Sequence, residues 1–257
     1  MLRHPIRWLK ETSNTPQHLN RSYLFLRKCV GVIGVALPPV LIIGTMILEL
    51  RPQILGSISA YYYSDYSVGN IDYSVMGNIL VGSLCAIGIF LICYRYEHLD
   101  DFVSTIAGAC AIGVALFPAA PEKGATPQQM MIEHLHTVSA AGFFVTLAIF
   151  ALWIFRKSDQ KNPEDRTPEK RLRNKVYFGC GIAIVACIVL IGIINVLNLQ
   201  SNPWLKSIHP LLVLESLAVW AFGIAWFVKG ETLGILKDKD KKGEVLPSKN
   251  RETIPAR

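Results

Sequence analysis

The chain has 257 residues, 51% of them hydrophobic and only 18% charged, with a mean hydropathy of +0.35. That balance is too apolar for a soluble domain of this length. The formal net charge of +7 is confined to short segments between long apolar tracts, so it reads as loops facing anionic headgroups, and nucleic acid is not an expected partner.

The chain opens on a basic lead, Met1–Lys28, in which Trp8, Tyr23, Leu24 and Phe25 are interleaved with Arg3, Arg7, Lys10, Arg21, Arg27 and Lys28. It reads either as a helix lying on the inner leaflet or as a disordered anchor. The first apolar run, Cys29–Leu48, starts too late and runs too long for a signal peptide, and no small-x-small site follows it, so it is expected to be a retained span. Pro38 and Pro39 remove two backbone donors from it and predict a kink or a break.

Next comes "SISAYYYSDYSVGNIDYS", Ser57–Ser74, with five tyrosines and no Lys or Arg. Five further apolar runs follow: Ser74–Tyr94, Phe102–Ala120, Leu135–Phe155, Val176–Leu197 and Ile208–Val228. Each is long enough for a hydrocarbon core of about 30 Å, which takes about 20 helical residues. The stretch "DQKNPEDRTPEK" before the fifth run reads as a solvated loop. The tail after Gly230 has the charge and low hydrophobicity of a disordered segment. The expected fold is therefore all-α: a polytopic membrane protein with a six-transmembrane-helix bundle at 29–229, a lead at 1–28 and a tail at 230–257.

Lys and Arg set the expected orientation. The lead, the segment from Arg156 to Lys175 and the tail are rich in them, whereas the alternate loops hold only Arg51, Lys123 and Lys206. The N and C termini are expected in the cytoplasm, and the tyrosine segment on the outer face of a bacterial cytoplasmic (inner) membrane. Cys29, Cys85, Cys93, Cys110, Cys180 and Cys187 avoid the outer loops and show no CxxC spacing, so they read as small core residues. Glycines and alanines recur along the spans (Gly77, Gly82, Gly88, Gly108, Gly113, Gly179 and Gly181 among them), as close helix packing in a bilayer requires.

Candidate site residues collect at the outer face. Ser57, Ser59, Asp72 and Glu215 are the catalytic candidates, with the serines placed to steady a transition-state oxygen. His134, His209 and Asp72 are the candidate metal ligands, and the metal they would suit is zinc, whose bound water attacks an ester or amide. Tyr61, Tyr62, Tyr63, Asn78, His136, Trp204 and Glu215 are candidates for a ligand pocket. Tyr and Trp also favour the membrane interface with no ligand at all. His134 and His136 stand about 200° apart on a helix, so at most one of them faces the interior. Glu215 lies six residues past His209, about 9 Å deeper. A carboxylate there costs several kcal/mol unless it is paired or protonated. His136, His209, Lys206 or a serine of another helix are its candidate partners, and the sequence does not choose among them.

Three stretches, "SISAYYYSD", "EHLHTVSAAGFF" and "LESLAVWAFGIAWFVKG", in this six-span layout resemble bacterial six-span membrane proteins of unknown function that are distantly similar to the DRAM-type family of autophagy modulators, GPI-anchor remodelling factors and regulators of lipid distribution. The resemblance covers Cys29–Lys229 in layout and implies cytoplasmic termini and lipid-related work; it assigns no catalytic residue. The zinc pattern of the alkaline ceramidase and progestin-receptor superfamily is not met, because Ser59 is followed by Tyr63 and His209 by Val213 at the ligand spacing.

Two functions follow as expectations: a lipid-handling or lipid-sensing protein with an outer-face polar pocket, or a metal-dependent intramembrane hydrolase of a lipid or lipid-linked substrate. A small transporter is the third, weakened because the inner halves of the spans look dry. Membrane lipids are the expected partners, beside a homo-oligomer or another membrane protein.

Overall fold

A computed structural model of the chain describes residues 15–48, 53–64, 66–68, 71–94, 98–121, 124–157 and 167–230; side chains 15–21, 66–68 and 71–73 are excepted. The first 14 residues, the tail beyond Gly230 and most of the "DQKNPEDRTPEK" stretch lie outside that set. Helices α1 (Thr15–Leu48), α2 (Val75–Ile92), α3 (His98–Leu116), α4 (Pro127–Leu152), α5 (Pro168–Val196) and α7 (Pro210–Lys229) carry the architecture, with a short α6 (Pro203–Ser207) ahead of the last. Six of them are long and apolar enough to cross a membrane, and the chain is an all-α, multi-pass integral membrane protein. In the loop after α1, strands β1 (Tyr66–Val68) and β2 (Ile71–Tyr73) form a small antiparallel ribbon with Tyr66 opposite Tyr73.

Helix starts are set by local chemistry more than by hydropathy. Thr126 caps α4: its hydroxyl accepts from Gln129 N while the Gln129 side chain accepts from Thr126 N, and Pro127 occupies the first turn. At α5 the Thr167 hydroxyl likewise accepts from Lys170 N, ahead of Pro168. Both helices thus begin eight residues before the apolar runs that announce them. Helix α1 likewise extends back to Thr15, so the second half of the basic lead continues the first span and is not a separate surface helix.

Pro38 and Pro39 lie inside α1, and the helix runs on through them. The expected break does not occur. Pro39 leaves the Val35 carbonyl without its helical N–H partner, and the Trp220 indole on α7 supplies a substitute at 3.0 Å. The α1–α7 seam is close because Gly31, Gly34 and Gly223 meet there: a Cβ on Gly34 would lie 3.2 Å from the Gly223 Cα. The α2–α3 seam does the same with Gly88 and Gly108, where a Cβ on Gly88 would lie 2.8 Å from the Gly108 carbonyl oxygen.

Basic groups gather at the end of the bundle where α1 begins and α7 finishes. Gly230 packs against Lys28, Lys157 Nζ reaches Asp100 Oδ1 at 2.6 Å, Lys170 Nζ donates to the Lys157 carbonyl, and Lys229 and Arg27 lie over the rings of Phe155 and Tyr94. Next to these groups an aromatic stack fills the bundle interior. Trp226 stands at its centre, in edge or tilted contact with Tyr94, Phe150, Phe155 and Phe222. Phe222 hands on to Phe143. Beyond Phe143, toward the opposite end, the packing opens into a cavity. The cysteines are unpaired, with Cys180 and Cys187 in the core.

Candidate functional site

The cavity holds about 300 Å³. All six spanning helices contribute to its wall, from Leu37 on α1 to Val219 on α7. At one end the lining is apolar, with Leu37, Leu84, Phe143 and Ile188; at the other stand Ser59, Tyr62, His136, Thr137, Asn195 and Glu215. Seven residues of α4 separate Thr137 from Phe144, and seven of α5 separate Ile188 from Asn195, so polarity changes over roughly 10 Å of depth. Among the described residues no Lys or Arg lines it.

The roof is a 3-10 turn, Ser59–Tyr63, directly before the ribbon. Ser57 caps it, its Oγ accepting from Ala60 N at 3.0 Å. Helix α7 clamps it twice: Leu212 N donates to the Gly56 carbonyl at 3.0 Å, and Ile58 N donates to Glu215 Oε2 at 2.6 Å. Among the described residues Glu215 therefore takes the backbone N–H of Ile58 as its partner, and none of the side chains expected from the sequence. On the other side the turn leans on α2, where the Tyr62 carbonyl accepts from Ser74 Oγ at 3.2 Å. It gets that close because residue 77 is glycine; a Cβ there would lie 2.6 Å from the Tyr62 oxygen.

His136 is the buried histidine of the pair on α4, only 8% exposed, while His134 is exposed. Its Nδ1 lies 2.7 Å from the Phe117 carbonyl oxygen and its Nε2 lies 3.0 Å from Ser59 Oγ. A carbonyl only accepts, so Nδ1 carries the proton; in the neutral ring Nε2 is then an acceptor, and the Ser59 hydroxyl donates to it. The Phe117 carbonyl is free for this role because α3 ends at Leu116 and Pro118 cannot continue it.

Of the expected pocket residues, Tyr62, His136 and Glu215 line the cavity, together with Ser59. Tyr61 is wholly buried beside the cavity, with its hydroxyl accepting from Leu55 N. Tyr63 is 38% exposed and sets its ring edge-on to Tyr62 at 5.1 Å. Burial first, then Tyr62 and Glu133, push its hydroxyl above the usual tyrosine range. Asn78 points to the surface of α2 and Trp204 to the surface of α6. His209 is the N-cap of α7 in a left-handed conformation, φ 45°, and the Asp72 side chain lies outside the described residues. Among the described residues no three His, Cys, Asp or Glu side chains form a group able to hold a metal ion. Both nitrogens of His136 are already engaged, and of the zinc ligands expected from the sequence, His134 is exposed on α4 and His209 caps α7.

Sequence reasoning passed over the Phe117 carbonyl, Thr137 and Gly192, and marked Asn195 only as a polar residue near the outer end of the fifth span. Thr137 and Ala141 on α4 and Gly192 and Asn195 on α5 are exposed cavity residues. Helices α4 and α5 touch where Gly181 meets Leu152. Eleven residues away along each helix, about 16 Å, Ala141 and Gly192 leave the wall thin: nothing lies within 4 Å of a Cβ placed on Gly192. Cavity residues of α4 and α5 thus also reach the outer surface of the bundle. Neither a family model, nor a curated protein, nor a solved structure matches this chain.

Proposed function

We propose that this chain is a lipid-handling protein of a bacterial cytoplasmic membrane, with its termini in the cytoplasm and its cavity in the outer leaflet. One observation carries the reading: an apolar cavity of about 300 Å³, polar at one end and walled on α4 and α5 by residues that also reach the outer surface of the bundle. That volume is at the small end of ligand sites, about ten water-sized units at roughly 30 Å³ each, which suits a single medium-length acyl chain. The occupant's polar group would sit among Ser59, Tyr62, Thr137, Asn195 and Glu215. With a carboxyl group and, among the described residues, no Lys or Arg on the wall, neutral or cationic headgroups are favoured over anionic ones.

The Lys and Arg distribution supports the orientation, and the layout similar to the DRAM-type family supports lipid-related work. The aromatic stack from Phe143 to Trp226 favours a blind pocket over a transport path.

Native mass spectrometry of protein released from a mild detergent tests the reading. The wild type is expected to retain one single-chain amphipath with a neutral or cationic headgroup. Gly192→Trp, which adds a large ring to this part of the wall, is expected to lose it with thermal stability kept. A wild type that carries no lipid, or a Gly192→Trp variant that carries the same one, would overturn the proposal.

A further inference from the structure

We propose that Ser59 is an acyl-accepting nucleophile with His136 as its general base, so that the cavity cleaves esters of the amphipaths it binds. The inference rests on the lipid-handling reading and adds a reaction to it. Three observations meet at one point. The Ser59 Oγ–His136 Nε2 distance of 3.0 Å lies within the range of an activated nucleophile and its base. The Phe117 carbonyl, 2.7 Å from Nδ1, holds the ring in the tautomer whose Nε2 can take a proton, the role that a third group plays in such sites. Both side chains stand on the wall of the cavity, at its polar end, within reach of the ester group of a lipid whose chain lies against Phe143 and Ile188.

In the first step Ser59 Oγ attacks the ester carbonyl carbon and its proton passes to Nε2. The carbon–oxygen bond to the alcohol then breaks, and His136 returns the proton to the leaving oxygen. An acyl ester of Ser59 remains. Water attacks it, His136 takes a proton from that water, and the collapse releases a carboxylic acid and restores the Ser59 hydroxyl. The hydroxyls of Tyr62 and Thr137 and the Asn195 amide are the uncharged donors on the same wall; the Asn195 carbonyl is taken by Gln200 Nε2, which leaves its NH₂ to donate. Glu215 does not touch the dyad's proton: it binds the backbone N–H of Ile58, next to Ser59, and acts as a positioning residue.

The test is labelling of the full-length protein, in detergent with bound lipid measured on the same sample, by a fluorophosphonate carrying an alkyl chain. One label per chain on the peptide containing Ser59 is expected. It should be absent from Ser59→Ala, unchanged in Ser207→Ala, which lies exposed on α6 away from the cavity, and slowed by roughly 100-fold or more in His136→Gln. Ser59→Ala removes one oxygen and should keep its lipid. Lipid-bearing wild type that takes no label, or a label that persists in Ser59→Ala, overturns the dyad and leaves the lipid reading standing. A folded protein with neither lipid nor label overturns both.

Discussion

The Trp220 indole Nε1 on α7 donates to the Val35 carbonyl on α1 at 3.0 Å, the acceptor that Pro39, four residues on, cannot satisfy. A proline pair in the middle of the first span is thereby tolerated through a side chain 185 residues away. Trp220→Phe keeps an aromatic ring and removes the donor. It is expected to lower stability by about 1–2 kcal/mol, read from unfolding in mixed detergent. Most of that loss should vanish in a Pro39→Ala background, where the substituted residue brings a backbone N–H of its own to the Val35 carbonyl. Equal losses in both backgrounds would show that the bond to Val35 is not the cause.

Glu215 ties the tyrosine turn to α7 through the Ile58 N–H at 2.6 Å. Glu215→Ala strands this donor and is expected to cost about 2 kcal/mol and to loosen the turn, exposing the bonds after Tyr61, Tyr62 and Tyr63 to chymotrypsin. Glu215→Gln keeps an acceptor oxygen and should stay close to wild type. Equal protease resistance in all three proteins would remove Glu215 from this role.

Gly77 and Gly82 stand five residues apart on α2, yet a Cβ on the first would run into the Tyr62 carbonyl and one on the second would meet nothing within 4 Å. Gly77→Ala should therefore destabilise by about 1–3 kcal/mol and weaken lipid retention. Gly82→Ala should be neutral or gain up to about 1 kcal/mol, since alanine is the better helix former. Melting temperatures of the two variants that move together would contradict the packing described for the roof.

Tyr63 titrates above the usual tyrosine range because of its burial, Tyr62 and Glu133. Above about pH 10 the unfolded chain releases this proton while the folded protein keeps it, so folding stability falls as pH rises through that region. Tyr63→Phe should flatten the fall, measured as unfolding midpoints between neutral pH and about pH 11. An unchanged slope would mean that other groups set it.

The six spans were legible because about 20 apolar residues in a row have little other use. Their ends were less so. Hydropathy begins α4 at Leu135, but the chain turns helical at Pro127 on the strength of the Thr126–Gln129 capping box, a signal present in "TPQQ" and easily passed over beside a long apolar run. That shift moves His136 from a helix mouth to the third turn of α4. Ser59 and His136 were each visible as candidates, and their pairing was not: 77 residues separate them, and no periodicity links a 3-10 turn to a distant helix. The Phe117 carbonyl leaves no side-chain signature at all. The partner of Glu215 was missed for the same reason, since backbone N–H groups look alike in every sequence.

The aromatic stack between the basic end and the cavity has an electrical consequence. Moving one charge across a membrane polarised by 100 mV involves about 2.3 kcal/mol, so a hydrated hollow spanning the bundle would leak ions down that gradient. Phe143, Phe222 and Trp226 in succession place a dry dielectric layer where the field must drop. The hollow can fill with water or a polar headgroup while the membrane stays charged.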